Sequence, residues 1–301
     1  MLETYPIDHV AVVGGGIMGR GIAHVLAVRG VGVTVVEPDG AAIDRARGAL
    51  HTELDTLLRR SRLTDSEATE ITSRIEWTSS LEAAADGKAV LIEAAPEVLE
   101  LKCDIVSRAS KLLSSDGFVA TNTSALSITR IAAAAIHPDR VIGMHFFNPV
   151  PRMALVEVVR ATQTSSATVK KSEILGQLMG KTVVHVKDSA GFVTSRVNAL
   201  IGNEAFRMLS EGVASAADID EALRLGLNHP MGPFELVDLV GLDTRLSVLN
   251  RLRDSLGDRF LPSPLLVNLV EAGRLGRKVG HGVFDYDFDG KRITDEAGEI
   301  R

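Results

Sequence analysis

Three polar side chains stand where an apolar strand should continue or has just ended, and their types suit proton transfer. His145 follows the strand-like run at 141–144, Glu157 interrupts another apolar run twelve residues later, and Ser124 comes soon after a third run, at 118–121. A carboxylate on an apolar strand is costly unless it accepts a hydrogen bond, and an imidazole is a natural donor. An imidazole held at one ring nitrogen can exchange a proton with a substrate at the other, so His145 and Glu157 together favour catalysis. Taken singly, they fit a structural histidine and a strand residue with one solvated face, and Ser124 fits a polar turn.

A glycine-rich turn near the start of the chain suggests dinucleotide binding. The strand-like run at 10–13 leads into Gly14-Gly15-Gly16-Ile17-Met18-Gly19, and a helical pattern follows. In this layout the first glycine makes the turn, the second lets a pyrophosphate approach the backbone, and the third lets the helix pack on the strand. Glu37 ends the next strand, where a carboxylate accepts hydrogen bonds from ribose hydroxyls and repels a 2′-phosphate. The pattern predicts NAD rather than NADP, and the alternative is a glycine turn of purely structural origin. The predicted cofactor residues here are Gly14, Gly16, Ile17, Met18, Gly19 and Glu37.

Strand-like runs alternate with helical runs up to about residue 187. They lie at 10–13, 33–36, 90–92, 118–121, 141–144, 155–159 and 183–186. Alternation of continuously apolar strands with helices predicts an α/β fold, a Rossmann-type doubly wound and mainly parallel sheet. Beyond Gly191 the patterns are those of amphipathic helices, at 197–211, 216–225 and 264–272. We therefore predict a dinucleotide-binding domain over residues 1–187 and an all-helical second domain over residues 188–301.

Composition argues against several classes of protein. The formal net charge of the 301 residues is −6, which disfavours nucleic acid or an anionic membrane as the main partner. The single cysteine, Cys103, can form no intrachain disulfide and has no nearby metal ligands, so we predict no metal site. Residues 1–5 lack the basic and apolar segments of a signal peptide, and no apolar run is long enough to span a bilayer. These features predict a cytoplasmic protein.

Five motifs follow one another along the chain. They are the glycine turn, Glu93-Ala94-Ala95-Pro96-Glu97 with Lys102, Asn122-Thr123-Ser124, residues 143–151 with the sequence GMHFFNPVP, and residues 229–236 with the sequence HPMGPFEL. In this order they resemble the motifs of the L-3-hydroxyacyl-CoA dehydrogenase family, in particular its short bacterial 3-hydroxybutyryl-CoA dehydrogenases. The resemblance covers nearly the whole chain and continues through residues 276–282.

The resemblance implies a role for each residue of the catalytic set. His145 is similar to the family's base, which takes the hydroxyl proton as C3 of the substrate loses hydride to the nicotinamide. Glu157 would orient His145 and stabilise its cationic form, and Ser124 would hold the substrate oxygen. Asn148 lies in the catalytic loop and is assigned to the substrate. Glu93, Glu97 and Lys102 belong to the segment that lines the nicotinamide half of the cofactor, and Asn122 is assigned to the cofactor as well.

The chain departs from the family pattern at three places. The family commonly has Asn where this chain has Ser195, and Asn198, on the same face of a helix, is an alternative donor to the substrate. The polar helical stretch at 41–72 carries arginines and His51 where the family usually has lysines that meet the CoA nucleotide, and it also fits a merely solvated hairpin. Arg20 is larger than the residue usual after the glycine turn, and we interpret it as a helix-surface residue.

The residues and the resemblance together predict an NAD-dependent oxidoreductase acting on a short 3-hydroxyacyl-CoA. As the resemblance implies, we also expect a homodimer whose interface is built mainly from residues after 190. Related dehydrogenases acting on an acyl carrier protein thioester or a sugar acid remain alternatives. A non-catalytic NAD-binding structural protein is the other class of function left open.

Overall fold

The computed structural model describes residues 7–293, so the prediction on the N-terminal segment falls on residues outside this range. The chain divides into two compact units, one that ends at Ser189 and one that begins at Ala190. Within the described range, no helix combines the length and the apolar character needed to cross a membrane.

The first unit is built on one eight-stranded sheet with the strand order β3-β2-β1-β4-β5-β6-β7-β8. Every neighbouring pair is parallel except β6 and β7, which are antiparallel. The strands are β1 His9–Val13, β2 Gly32–Val36, β3 Ile75–Thr78, β4 Val90–Glu93, β5 Phe118–Thr121, β6 Val141–Phe146, β7 Leu155–Arg160 and β8 Thr182–Lys187.

Seven helices connect these strands. They are α1 Ile17–Val28, α2 Gly40–Arg59, α3 Asp65–Ser73, α4 Leu81–Ala85, α5 Leu99–Ala109, α6 Ile128–Ala132 and α7 Ser166–Leu178, with a short 3-10 helix at Pro138–Arg140. Side-chain caps begin several of them where the sequence places Asp, Ser or Thr. Asp39 accepts a hydrogen bond from the Ala42 amide at the start of α2, and Thr64 forms a capping box with Glu67 at the start of α3.

The order of the strands explains where the site lies. The central strands are valine-rich and fully buried, as expected when helices cover a parallel sheet. Strands β1, β4, β5 and β6 are parallel, so their carboxyl ends share one edge, and the chain order reverses on either side of β1. Ligands bind at such a switch point in open α/β sheets. The antiparallel pairing then brings the start of β7 back to the end of β6.

The predicted fold class is confirmed, but β3 was missed. Seven of the strands were predicted; β3, with the sequence IEWT, lies at the edge of the sheet and buries only Ile75. A short run with alternating polarity and one buried residue carries too weak an apolar signal to stand out from its helical surroundings.

The second unit is helical. Its helices are α8 Thr194–Ser210, α9 Ala216–Gly226, α10 Pro233–Val240, α11 Leu242–Leu256 and α12 Pro264–Glu271, with 3-10 helices at Asp258–Phe260 and Arg277–Val279. Two buried aspartates fix this unit internally. Asp220 accepts hydrogen bonds from the amides of Phe234 and Glu235 and so caps α10. Asp238 accepts hydrogen bonds from the backbone at 283 and 284 and from the hydroxyl of Tyr286, which ties the C-terminal segment to α10.

Candidate active site

His145 and Glu157 lie directly opposite each other across the antiparallel pair β6 and β7. Both are buried, and Nδ1 of His145 is 2.7 Å from Oε2 of Glu157. An ionised carboxylate only accepts, so Nδ1 carries the hydrogen of this bond and Nε2 of the neutral ring is the acceptor. The ring also packs against Phe147, with centroids 4.6 Å apart. The pairing fixes both the tautomer and the orientation of the imidazole.

Ser124 completes this line of hydrogen bonds. Its Oγ lies 3.0 Å from Nε2 of His145, so the hydroxyl donates to the neutral ring. Ser124 is itself exposed, in the loop that follows β5. The exposed hydroxyl and the ring nitrogen together offer a place where an oxygen-bound proton can be exchanged. The sequence predicts these three side chains at one edge of the sheet, and the structure brings them into contact.

Glu97 holds the loop that carries Ser124. Its Oε1 accepts hydrogen bonds from Oγ1 of Thr123 at 2.6 Å, from the amide of Ser124 at 3.1 Å and from the amide of Ala125 at 3.2 Å. Its other oxygen, Oε2, is 3.4 Å from Nζ of Lys102. The Glu97 carboxylate thus orders the loop that places the Ser124 hydroxyl. The sequence pattern placed Thr123 in the loop but gave no sign of this contact, which depends on two segments 26 residues apart.

Glu93, at the end of β4, forms a buried ion pair with Lys102, in α5. Their relative exposures are 0% and 1%. Nζ of Lys102 is 2.7 Å from Oε1 of Glu93 and donates to the carbonyl of Ala95. Oε1 of Glu93 also accepts from the Ala95 amide, and Oε2 accepts from Oγ1 of Thr121 at 2.5 Å. Both carboxylate oxygens of Glu93 are therefore used within the protein. The pair connects the end of β4 and the end of β5 to the helix α5.

The glycine turn fits a dinucleotide pyrophosphate. Gly14 has φ of +98°, and a Cβ there would lie 2.7 Å from the carbonyl oxygen of Ala94. A Cβ at Gly19 would overlap the carbonyl oxygen of Gly14, so α1 packs against the turn only because this residue is glycine. At Gly16, by contrast, no heavy atom lies within 4 Å of an added Cβ. The open approach at Gly16 adjoins the N-terminus of α1, where unpaired amides favour an anion.

Ile17 and Met18 form the first turn of α1. The side chain of Ile17 is exposed, whereas Met18 packs against the core of the first unit. Their backbone amides, together with that of Gly19, are at the end of the helix that a phosphate would face.

The backbone of Gly15 forms hydrogen bonds with both Glu37 and Arg20. The Gly15 amide donates to Oε1 of Glu37, and the Gly15 carbonyl accepts from Nη1 of Arg20 at 3.0 Å. Nη2 of Arg20 is 2.8 Å from Oε1 of Glu53 in α2, and the Arg20 side chain is only 12% exposed. The interpretation of Arg20 as a surface residue was wrong. The sequence around Arg20 gives no sign of its ion pair with Glu53, because Glu53 lies 33 residues further on.

The two predicted asparagines of the first unit have different surroundings. Asn122 is buried, and its Oδ1 accepts the amide hydrogen of Phe146 at 2.9 Å, which ties the end of β5 to the end of β6. Asn148 is exposed, three residues after His145. Asn122 therefore positions the backbone beside His145, whereas the side chain of Asn148 is accessible to a ligand.

Ser195 and Asn198 belong to the second unit, in the first turns of α8. Both are partly exposed, and their spacing of three residues places them on the same helix face.

In the first unit, α2 and the loop to α3 present exposed basic side chains, at Arg45, Arg47, His51, Arg59, Arg60 and Arg62. The buried face of α2 is apolar, with Leu50 and Leu54 in the core.

Two family models match this chain over most of its length. The model described as the NAD binding domain of 3-hydroxyacyl-CoA dehydrogenase matches residues 9–189, and that of the C-terminal domain matches residues 191–286. A relative named 3-hydroxybutyryl-CoA dehydrogenase, from Clostridioides difficile, is 41% identical over 279 residues, 92% of this chain and 99% of the relative. A relative from Deinococcus radiodurans, named a probable 3-hydroxybutyryl-CoA dehydrogenase, is 41% identical over 91% of this chain and 99% of its own length.

A solved structure supports the same grouping. The crystal structure of (S)-3-hydroxybutyryl-CoA dehydrogenase from Ralstonia eutropha is similar with a TM-score of 0.88 at 41% identity, covering 94% of this chain and all of that one. The fold similarity therefore extends over both units.

Proposed function

The chain belongs to the 3-hydroxyacyl-CoA dehydrogenase family, an NAD-dependent group of oxidoreductases, and we propose that its substrate is (S)-3-hydroxybutyryl-CoA. The product is the corresponding 3-ketoacyl-CoA, and the reaction is reversible. The observation that carries the proposal is the line of hydrogen bonds from Ser124 through His145 to Glu157. Such a line supplies a general base whose proton-accepting nitrogen is defined, as oxidation of a secondary alcohol requires.

His145 accepts the proton of the substrate hydroxyl at Nε2 in this mechanism, and the Glu157 carboxylate stabilises the imidazolium that results. Ser124 donates to the substrate oxygen and keeps it within reach of the ring. In the reverse direction the imidazolium returns the proton to the same oxygen. Bound NAD supplies the acceptor for the hydride that leaves C3. The protein contributes orientation and charge stabilisation, because the dyad is formed before substrate binds.

The assignment of the cofactor residues follows their contacts. Gly14, Gly16 and Gly19, with the first amides of α1, would hold the pyrophosphate, and Glu37 would bind the adenosine ribose. Glu97 and Lys102 lie beside the Ser124 loop, on the side assigned to the nicotinamide. Because both oxygens of Glu93 are already engaged, we assign Glu93, with its partner Lys102, a positioning role.

The substrate side is assigned to Ser124, Asn148, Ser195 and Asn198. The exposed arginines of α2 and of the loop that follows are candidates for the phosphates of CoA, since guanidinium groups bind phosphate in bidentate fashion. The His145–Glu157 pair argues against a purely structural NAD-binding protein. Burying a histidine and a carboxylate at the sheet edge lowers stability, and a purely structural protein would have no use for them there.

The test is NADH oxidation, followed by absorbance, with acetoacetyl-CoA, longer 3-ketoacyl-CoAs, acetoacetyl-pantetheine and free acetoacetate. We expect the highest kcat/KM with acetoacetyl-CoA, and a preference for NADH over NADPH because Glu37 repels a 2′-phosphate. Turnover of the free acid at a rate equal to that of acetoacetyl-CoA would contradict the proposal, as would turnover of none of these compounds.

We further propose a cytoplasmic homodimer assembled through residues after 190. A symmetric pair is the commonest form of soluble oligomer, and helical surfaces such as that of α9 carry exposed Leu225. Light scattering at micromolar concentration should give twice the mass of the chain, and a stable monomer would contradict this assembly.

A further inference from the structure

Arg20 lies beside the glycine turn and is larger than the residue usual in the family at this position. It is the fourth residue of α1, and its side chain is 12% exposed. Nη1 donates to the carbonyl of Gly15 at 3.0 Å, while Nε and Nη2 lie 3.1 and 2.8 Å from Oε1 of Glu53 in α2. The guanidinium is thus held between the turn and α2, with three of its five N–H groups in these contacts.

Gly15 connects the Arg20 guanidinium to the carboxylate assigned to the adenosine ribose. The amide of Gly15 donates to Oε1 of Glu37 and its carbonyl accepts from Arg20, so the polar groups of one residue separate the two side chains. A Cβ added at Gly15 would lie 2.9 Å from Cβ of Ala46 in α2 and 3.0 Å from Oε1 of Glu37. Helix α2 therefore packs against the turn at this point, and the guanidinium lies near the adenosine end of the cofactor site.

A guanidinium in this neighbourhood would ordinarily favour NADP over NAD. Where a Rossmann-type site accepts NADP, a nearby arginine accommodates the phosphate on the 2′ oxygen of the ribose. A guanidinium binds a phosphate best through two adjacent N–H donors on one edge. In this chain Nε and Nη2 on one edge face Glu53, and Nη1 on the other edge faces the Gly15 carbonyl. Each edge of the guanidinium is therefore engaged within the protein.

We propose that Glu53 is a specificity-determining residue, which excludes NADP(H) by holding the Arg20 guanidinium away from the 2′ position of the adenosine ribose. The proposal rests on the function proposed above, which assigns Glu37 to that ribose. Glu37 repels the 2′-phosphate, and Glu53 withholds the cation that would offset this repulsion. The side chain of Glu53 is 42% exposed, so truncation at this position should leave the core of the unit intact.

The experiment measures the Kd of NADH and of NADPH by nicotinamide fluorescence, with no acyl substrate present. Glu37→Ala is compared with the double variant Glu37→Ala Glu53→Ala, because the direct repulsion by Glu37 is then absent from both proteins. We expect the second change to lower the Kd for NADPH by about 10-fold, the scale of a new hydrogen bond to a charged group, while the Kd for NADH changes much less. Adding Arg20→Met to the double variant should abolish this gain, because the gain depends on the guanidinium.

The matched control is Glu70→Ala in the Glu37→Ala background. Glu70 is an exposed carboxylate that lies 3.2 Å from Nη2 of Arg74, and Arg74 also donates to a backbone carbonyl, that of Ala27 at the other end of α1. The control therefore removes the same charge from a similar arrangement without releasing Arg20. It should leave the Kd for NADPH close to that of Glu37→Ala.

The proposal is overturned if the Kd for NADPH is the same with and without Glu53, if the gain persists after Arg20→Met, or if Glu70→Ala gives a gain of the same size. It is equally overturned if Glu53→Ala weakens the binding of both nucleotides alike, which would assign the pair to the shape of the glycine turn. If thermal unfolding shows that the truncated protein is not folded, Glu53→Gln takes its place. That variant should give a smaller gain, since an amide oxygen still accepts from the guanidinium.

The binding measurement separates this proposal from the proposed function. A wild type that binds NADH but does not reduce acetoacetyl-CoA would refute the proposed function and leave the comparison of binding constants intact. Equal wild-type affinity for NADH and NADPH would instead refute the exclusion itself.

Discussion

The two units of the molecule differ in how they bury carboxylates. In the first unit, each buried carboxylate has a basic partner, Glu93 with Lys102 and Glu157 with His145, whereas the buried Lys181 donates to backbone carbonyls. In the second unit, Asp220 accepts hydrogen bonds from backbone amides alone and Asp238 from amides and a tyrosine hydroxyl, while Nε of Arg245 has no hydrogen-bond partner among the described residues. The second unit thus contains buried charges without an ion-pair partner of their own.

This difference separates two uses of a buried charge. Where the partners are present, as around Glu93, the charges fix the ends of strands and the loop that carries Ser124. The proposed catalytic side chains are therefore held in place. Where only neutral donors are present, as at Asp220 and Asp238, the carboxylates fix helix ends and the C-terminal segment. Where no partner is found, as at Nε of Arg245, we expect an apolar side chain of similar volume to serve the folded chain equally well. Removing one charge of an ion pair should therefore lower the free energy of unfolding, whereas removing the charge of Arg245 should not.

The largest effect is expected for Lys102→Met. The substitution leaves Glu93 buried without its cation, and breaking one side of a buried pair costs about 3–5 kcal/mol of unfolding free energy. Urea unfolding followed by circular dichroism measures the loss, with Lys111→Met, which replaces an exposed lysine, as the control. The double variant Lys102→Met with Glu93→Leu should recover part of the loss, because both charges are then absent. A Lys102→Met variant as stable as the wild type would show that the pair does not stabilise this unit, and the contrast with Arg245 would disappear.

The second prediction breaks the other pair, and its readout is chemistry. His145→Gln should lower kcat for acetoacetyl-CoA reduction by about 100-fold or more, the scale of lost general acid–base catalysis, while NADH affinity measured by fluorescence stays near that of the wild type. Glu157→Gln should also lower kcat, since an amide cannot stabilise the imidazolium. Because the two residues act as one unit, the double variant should lose less than the sum of the two single losses. Simple additivity, or full turnover by His145→Gln, would refute the dyad.

The sequence sufficed to predict the dyad because its signals are local. His145 and Glu157 are polar residues on apolar strands, and two strands that follow each other closely in the sequence tend to pair. The glycine turn is equally local. Its prediction depends on the spacing of three glycines, and the structure places each of them where a Cβ would collide or where the approach is open.

Other features depend on contacts between distant segments and could not be predicted in this way. The Arg20–Glu53 pair and the contact of Glu97 with the Ser124 loop join residues 33 and 26 positions apart. Arg245 did leave a local trace, since it stands three residues after Leu242 and four before Leu249, in a core position of a helical pattern. Helix α11 itself was not predicted, so this charged residue at an apolar position was overlooked.

The smallest expected effect concerns Asp220, a buried carboxylate that has only neutral donors. Burial raises the pKa of Asp220 to about 6, and this outweighs the two amide hydrogen bonds, which favour the charged form. The folded chain therefore binds more protons than the unfolded chain between about pH 4 and 6, so the unfolding free energy falls as the pH rises through this window. Asp220→Asn cannot titrate. Its stability relative to the wild type should improve on going from pH 4.5 to pH 7.5, by on the order of 2 kcal/mol.

Urea unfolding of Asp220→Asn and the wild type at several pH values in this range measures the difference. Asp254→Asn, at an exposed position of α11, is the control and should show no such trend. Taking differences at each pH removes the contributions of Asp238 and of every other group common to both proteins. If the difference for Asp220→Asn is independent of pH, the Asp220 carboxylate titrates alike in the folded and unfolded chains. Neutral donors would then hold a buried charge as well as an ion pair does, and the distinction between the two units would be confined to Arg245.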